Sequence, residues 1–228
     1  LVVESSVSPE APVGVATLRF AGVTGSSVTW PLIVDRFPAV SERGSGDAIR
    51  TGEAVRLPVT IAGTVDRPGD EDFYRFQVHA GEEIGVEVVA AEIGSKLEPV
   101  LALHDAEGRI VAEGERSLGY TAVQAGVYVL SIRDKQFRGG QGFAYRLHIG
   151  PIPVITGVFP LSAPRGKTTT VQVRGVHLGQ PEGWRIPVAI PADAPVGSSW
   201  EIPLPPGKEK PRGKAAVIVD QLDGQAVD

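Results

Sequence analysis

From Val55 to Ile149 short apolar, β-branched runs alternate with turn sequences, and that cadence restricts the chain to β structure. The runs are VRLPVTIAGTV, FYRFQV, IGVEVVA, PVLALHD, RIVAE, VYVLSIRD and FAYRLHI. Between them stand Pro68-Gly69, Ala80-Gly81, Asp105-Ala106-Glu107-Gly108, Gln124-Ala125-Gly126 and Arg138-Gly139-Gly140. Pro presets φ and Gly permits positive φ, so each is a turn with a mechanism. No long segment keeps a 3.6-residue period free of Gly and Pro, so crossover helices are not expected. Strands without crossover helices pair antiparallel, and the expected fold class is all-β, as tandem β-sandwich modules.

The stretch Thr64–Val78, TVDRPGDEDFYRFQV, shows the logic in miniature. Pro68-Gly69 turns the chain, and Asp66, Asp70 and Asp72 surround the turn. Phe73, Arg75 and Gln77 then alternate with Tyr74, Phe76 and Val78, the period of a half-buried strand.

Outside this central unit the pattern changes. Residues 15–20 and 28–34 read as strands around a turn at Gly25-Ser26-Ser27. Pro38 to Thr51 is polar and Gly-rich and reads as a linker. Gly150-Pro151-Ile152-Pro153 ends the central unit, and a second β unit opens at Val154. An internal repeat ties the two ends together. VSPEAPVG at Val7–Gly14 recurs as IPADAPVG at Ile190–Gly197, and LIVD at Leu32–Asp35 recurs as VIVD at Val217–Asp220. The motifs agree in order and nearly in spacing, so residues 1–37 read as the second half of a module whose whole form spans about 152–220. The expected organisation is a half-module at 1–37, a linker at 38–52, a sandwich at 53–150, and a second module from 151 to 228. A start at Leu1 rather than Met leads us to expect a piece of a longer protein.

Composition excludes several chemistries. There is no cysteine, which removes disulfides, thiolate catalysis and Cys-rich zinc sites. There is no asparagine, hence no N-glycosylation acceptor. A net charge of −5 spread along the chain gives no nucleic-acid footprint. No apolar run is long enough to span a membrane as a helix.

Residues 53–150 resemble the bacterial pre-peptidase C-terminal domain, in the versions found in large planctomycete secreted and surface proteins. LPVTIAGTVDRPGDEDFYRFQVHAGEEI, the LEPVLALHDAEGRIVAE hairpin and AGVYVLSIRD carry the resemblance. It implies a jelly-roll-like β-sandwich, non-catalytic, beside secreted enzymes or in modular surface proteins. IPVITGVFPLSAPRGKTTTVQVRGVHLG resembles the opening of an immunoglobulin-like domain of the IPT/TIG type. Together these imply an extracytoplasmic accessory protein, not an enzyme, that spaces or presents neighbouring domains of its own polypeptide. The alternative is a module that binds a polysaccharide or another surface protein.

The resemblance also implies a metal candidate. Some members of the first family bind calcium through a linker motif and the carboxylates of the turn. Here Glu42 and Asp47 match the ends of that motif, and Asp70 and Asp72 match the turn. The second Glu, the Pro and the Asn of the motif are missing, so any site would be a weak one for a cation that wants six to eight oxygens. The bland reading is a solvated acidic turn whose Asp side chains cap backbone N–H groups.

Other candidates are thinner. His79, His104, His148 and His177 lie in or at the ends of different strands, and exposed or edge positions are expected for all four, since zinc needs convergent ligands. Gly166-Lys167-Thr168 lacks the first glycine of a phosphate loop. Of the aromatic residues, Trp184 follows Pro181-Glu182-Gly183 and is expected in a loop, exposed, as a ligand-stacking residue.

Overall fold

The computed structural model describes residues 6–8, 11–23, 25–44, 48–207 and 209–221. Described strands in chain order begin with β1 (Gly14–Leu18), β2 (Ala21–Gly22), β3 (Gly25–Ser26), β4 (Trp30–Val34), β5 (Ala39–Ser41), β6 (Glu53–Ala54) and β7 (Val59–Thr64). The central unit continues with β8 (Glu71–Val78), β9 (Glu83–Val89), β10 (Pro99–His104), β11 (Ile110–Gly114), β12 (Ser117–Thr121), β13 (Gly126–Asp134) and β14 (Ala144–Gly150). The last group is β15 (Val154–Phe159), β16 (Ser162–Pro164), β17 (Thr168–Val176), β18 (Trp184–Ala189), β19 (Ser199–Glu201) and β20 (Ala216–Asp220). A single helical turn, Ala91–Ile93, is the one helical element among the described residues. The fold is all-β.

The central sandwich packs two five-stranded sheets, ordered β11-β10-β13-β8-β6 and β12-β9-β14-β7-β5. The alternation read in FYRFQV decides which side chains meet between them. Tyr74, Phe76 and Val78 point inward and are buried, while Arg75 and Gln77 face out. Phe73 is the exception, on the outer face yet buried, with its ring centroid 6.5 Å from that of His104. Ile61, Leu101, Leu103, Leu130, Ile132 and Leu147 complete the floor of the core at 0 % exposure. Each such side chain contributes roughly 1.5–3 kcal/mol by leaving water. The turn at Pro68-Gly69 forms as its residues require: Gly69 has φ +81°, and Asp70 N–H donates to Arg67 O at 3.1 Å.

Part of the polar stretch that reads as linker is structured. β5 pairs in parallel with β7, and β6 in parallel with β8, so each closes one edge of a sheet. Exposed edges invite foreign strands, and these short parallel strands cover two of them.

β14 ends at Gly150, and β15 starts in a different sheet. The C-terminal module packs β15-β17-β18 against β16-β20-β19 around Val171, Val173, Val217 and Val219. The two sandwiches meet through a small core of their own, Ile152, Val154 and Val176, with Phe37 packed on it. Two glycines permit this approach. A Cβ on Gly85 would lie 2.9 Å from the carbonyl carbon of Ile152, and one on Gly119 would lie 2.8 Å from Thr156 Cγ2.

Candidate functional site

The acidic turn joins both sheets of the central sandwich. Asp72 and Tyr74 come from β8, Tyr145 from β14, and Glu42 follows the edge strand β5. Tyr145 O–H donates to Asp72 Oδ2 at 2.7 Å. Its one proton being used, Tyr145 accepts from Tyr74 O–H at 2.6 Å. Glu42 accepts from Thr64 N–H at 3.0 Å and is hydrogen-bonded to Asp72 through its side chain. Two carboxyl groups so joined must hold a proton between them. Burial is the main reason: it pushes Asp72 up to about 8, assisted by the Glu42 charge, and it raises Glu42 as well. Burial also lifts both tyrosines, so neither ionises near neutral pH. The result is a clasp held by one proton and left with a single negative charge, which fastens the exit of β5 to both sheets.

Asp70 does something different. Its Oδ2 accepts from Asp66 N–H at 2.8 Å, and its Oδ1 faces the Arg67 guanidinium at 3.4 Å. It caps the turn. Asp47 lies outside the described residues. Glu42, Asp70 and Asp72 are thus brought near one another, but as arranged they do not fit a calcium ion. Each carboxylate already has protein partners, and two of the three share a proton where calcium would need both charges. Among the described residues no group of three His, Asp or Glu side chains is placed to hold a metal. The melting midpoint is expected to be the same in millimolar calcium and in excess chelator. A rise in calcium that is lost in Asp72→Asn would show instead that the ion displaces the proton.

The histidines correct one expectation. His79 is exposed and His177 half-buried, but His104 and His148 are buried. The outer face of β14, where His148 points, is covered by the passing segment Asp35–Phe37. His148 Nδ1 meets Thr60 Oγ1 at 2.8 Å, and Phe37 N–H reaches the same hydroxyl at 3.4 Å. Burial pushes His148 below the usual histidine range, so it is neutral. His104 and Ser131 lie on the outer face of the β8-β13-β10 sheet beside a hollow of about 290 Å³, without a protein hydrogen-bond partner among the described residues.

Trp184 corrects another. It opens β18 rather than sitting in a loop, and it is half-buried against the C-terminal core. Trp30 is the exposed tryptophan, at 58 %.

Two groups were missed from sequence. Asp105 and Asp134 each gather the loop that follows. Asp134, fully buried, accepts from the N–H groups of Glu98, Gln136 and Arg138 at 3.0, 2.9 and 3.1 Å and from Arg138 Nε at 2.9 Å. Burial alone would raise its pKa, but Arg138 and these donors hold it well below the usual carboxylate range. Asp105 repeats the pattern with Arg109. The shared Asp-x-x-x-Arg spacing was the available signal.

The second group is a square of alternating charge at the joint. Arg36 lies 3.7 Å from Glu87 and pairs with Glu209. Arg212 pairs with the same Glu87, with Nη2 to Oε2 at 3.1 Å, and with Glu209 at 2.8 Å. Glu87 belongs to the central sandwich, Arg212 and Glu209 to the C-terminal module, and Arg36 to the segment before β5. A further contact between the two modules is made by His177, whose N–H donates to Glu83 Oε2 at 2.5 Å and whose Nε2 meets Glu83 O at 3.0 Å.

No protein-family profile matches the chain, and no curated protein matches it. Eleven chains of solved structures match. One is the 1.0 Å crystal structure of the pre-peptidase C-terminal domain of a collagenase from Bacillus anthracis. It is 18 % identical, covers 50 % of this chain and 99 % of its own, and has a TM-score of 0.34.

Proposed function

We propose that this chain is a non-catalytic accessory pair of β-sandwich modules, in a large secreted or cell-surface protein, that holds neighbouring domains of the same polypeptide in a set relation. The built joint carries the reading. A flexible tether would be polar and free of contacts. Here a buried apolar cluster, a closed square of ion pairs and two close glycine approaches occupy the join. Interfaces with a buried core and satisfied charges restrain relative motion, whereas small polar ones allow it. The secreted or surface setting rests on the resemblance of residues 53–150. No described helix is long and apolar enough to cross a membrane.

The chain has no cysteine of its own, so spin labels can be placed at will. With labels at Val123→Cys on the central sandwich and Lys214→Cys on the C-terminal module, both exposed, electron-electron resonance is expected to return one narrow distance distribution. A distribution spread over tens of ångströms, like that of a flexible linker, would defeat the spacing role.

A further inference from the structure

We propose that the β1–β4 hairpin is the open half of another sandwich, and that its apolar face takes a sheet of the β15-β17-β18 kind, carried on polypeptide that runs into Val7. This does not depend on the spacing role.

The sequence repeat is also a structural one. In the hairpin, Gly14 of VSPEAPVG stands opposite Val34 of LIVD in an antiparallel pair. In the C-terminal module the matching Gly197 N–H donates to Val219 O at 2.8 Å, and β19 and β20 run antiparallel beyond it. Two stretches that share motifs thus share a pairing. Their surroundings differ. β20 has β16 alongside it in parallel, and its Val217 and Val219, at 0 % and 1 % exposure, pack on the opposite sheet. The matching Leu32 and Val34 are only half-buried, and Trp30 stands exposed. Among the described residues no further strand pairs with β1 or β4. A two-stranded hairpin is marginal alone in water, and an apolar face beside a bare edge is a surface made for pairing.

The complete copy also says how the missing sheet arrives. β18 ends at Ala189 and runs straight into Ile190, the residue that Val7 matches. Ile190 N–H donates to Lys167 O at 2.9 Å, and its own O accepts from Gly166 N–H at 2.8 Å. The sheet that covers the hairpin is therefore covalently joined just ahead of it, which favours a segment in cis over a second copy of the chain.

The test grafts a second copy of residues 151–189 directly ahead of Val7, leaving the rest of the chain intact, and reads amide hydrogen exchange. Ile218 N–H donates to Leu161 O at 2.9 Å in the complete module. The matching Ile33 amide is therefore expected to slow at least tenfold (order of magnitude for a newly formed, buried strand bond). A control graft with Val171→Asp and Val173→Asp in the added copy alone is expected to lose that protection. An Ile33 amide as fast in the graft as in the parent overturns the proposal. So does a parent chain that dimerises at micromolar concentration with Ile33 protected, since the occupant would then be a second copy. A further check needs no graft: Leu32→Asp is expected to leave the melting of the parent unchanged, whereas the matching Val217→Asp unfolds the C-terminal module. Equal losses in the two variants would show that the hairpin face is already covered.

Discussion

Replacing Asp72 with Asn is expected to stabilise the protein at pH 9 and to remove most of its loss of stability between about pH 4 and pH 8. Unfolded, Asp72 gives up its proton near pH 4. Folded, burial and the facing Glu42 hold that proton up to about 8. Between those values the folded chain binds more protons than the unfolded one, so stability falls as pH rises. The contribution is whole below the unfolded value and gone once the pH has passed the folded one. One group with this shift loses at most about 1.4 kcal/mol per pH unit, on the order of 5 kcal/mol across the window. Glu42 shares the proton, so the loss belongs to the pair rather than to either residue.

Asparagine has the shape of the carboxyl group and needs no proton. Its amide can donate to an ionised Glu42, and its oxygen can still accept from Tyr145. Asp72→Asn should therefore match the parent within about 1 kcal/mol at pH 5, a single neutral hydrogen bond being worth that much. It should exceed the parent by about 2 kcal/mol or more at pH 9. Urea unfolding at pH 5, 7 and 9 measures this directly. A variant less stable than its parent at pH 9, or one with the same downward slope, would mean that Glu42 and Asp72 do not share a proton.

The contrast between what the sequence discloses here and what it hides has a physical basis. Strand β8 and the Pro68-Gly69 turn were legible because both are local: a period of two and a fixed φ need no distant partner. The acidic turn was legible as a cluster but not in its chemistry. That three carboxylates lie near one another follows from spacing. That one pair shares a proton depends on burial that composition does not reveal, acting against the O–H that Tyr145, more than seventy residues away, donates to Asp72. His148 was misread for the same reason. Leu147 and Ile149 do face the core, so the alternation was right. The opposite face is covered by Asp35–Phe37, a chain segment that no periodicity in β14 could announce. The charge square is further still from local signals, since Arg36, Glu87 and Arg212 meet only because three parts of the chain converge.

That square supplies the second large effect. Arg212→Ala is expected to destabilise the protein by about 2–3 kcal/mol, below the 3–5 kcal/mol of a fully buried pair because solvent still reaches the site. The side chains of Arg36 and Glu87 are 12 % and 17 % exposed, and those of Glu209 and Arg212 are both 28 % exposed. With two arginines and two glutamates alternating, the intact square is neutral. Removing Arg212 leaves two half-buried carboxylates around one guanidinium, an uncompensated charge where water is scarce. The direction is already visible in the intact protein, where Arg36 and Arg212 hold Glu209 below the usual carboxylate range against the opposing effect of burial. Removing Glu87 as well changes the balance. Arg36 and Glu209 then remain as a closed pair, and an apolar side chain can fill the space. The double variant Arg212→Met with Glu87→Leu is therefore expected to recover at least half of the loss seen in Arg212→Ala. Arg56→Ala, at an exposed position of the central sandwich, serves as the reference and should cost under about 0.5 kcal/mol. Because the square spans the two sandwiches, Arg212→Ala is also expected to split a single unfolding transition into two, with the C-terminal module melting first. Its core is the smaller of the two and its sheets have three strands rather than five. A loss no larger than that of Arg56→Ala, with one transition preserved, would show that the apolar cluster of Ile152, Val154 and Val176 fixes the joint without help from charge.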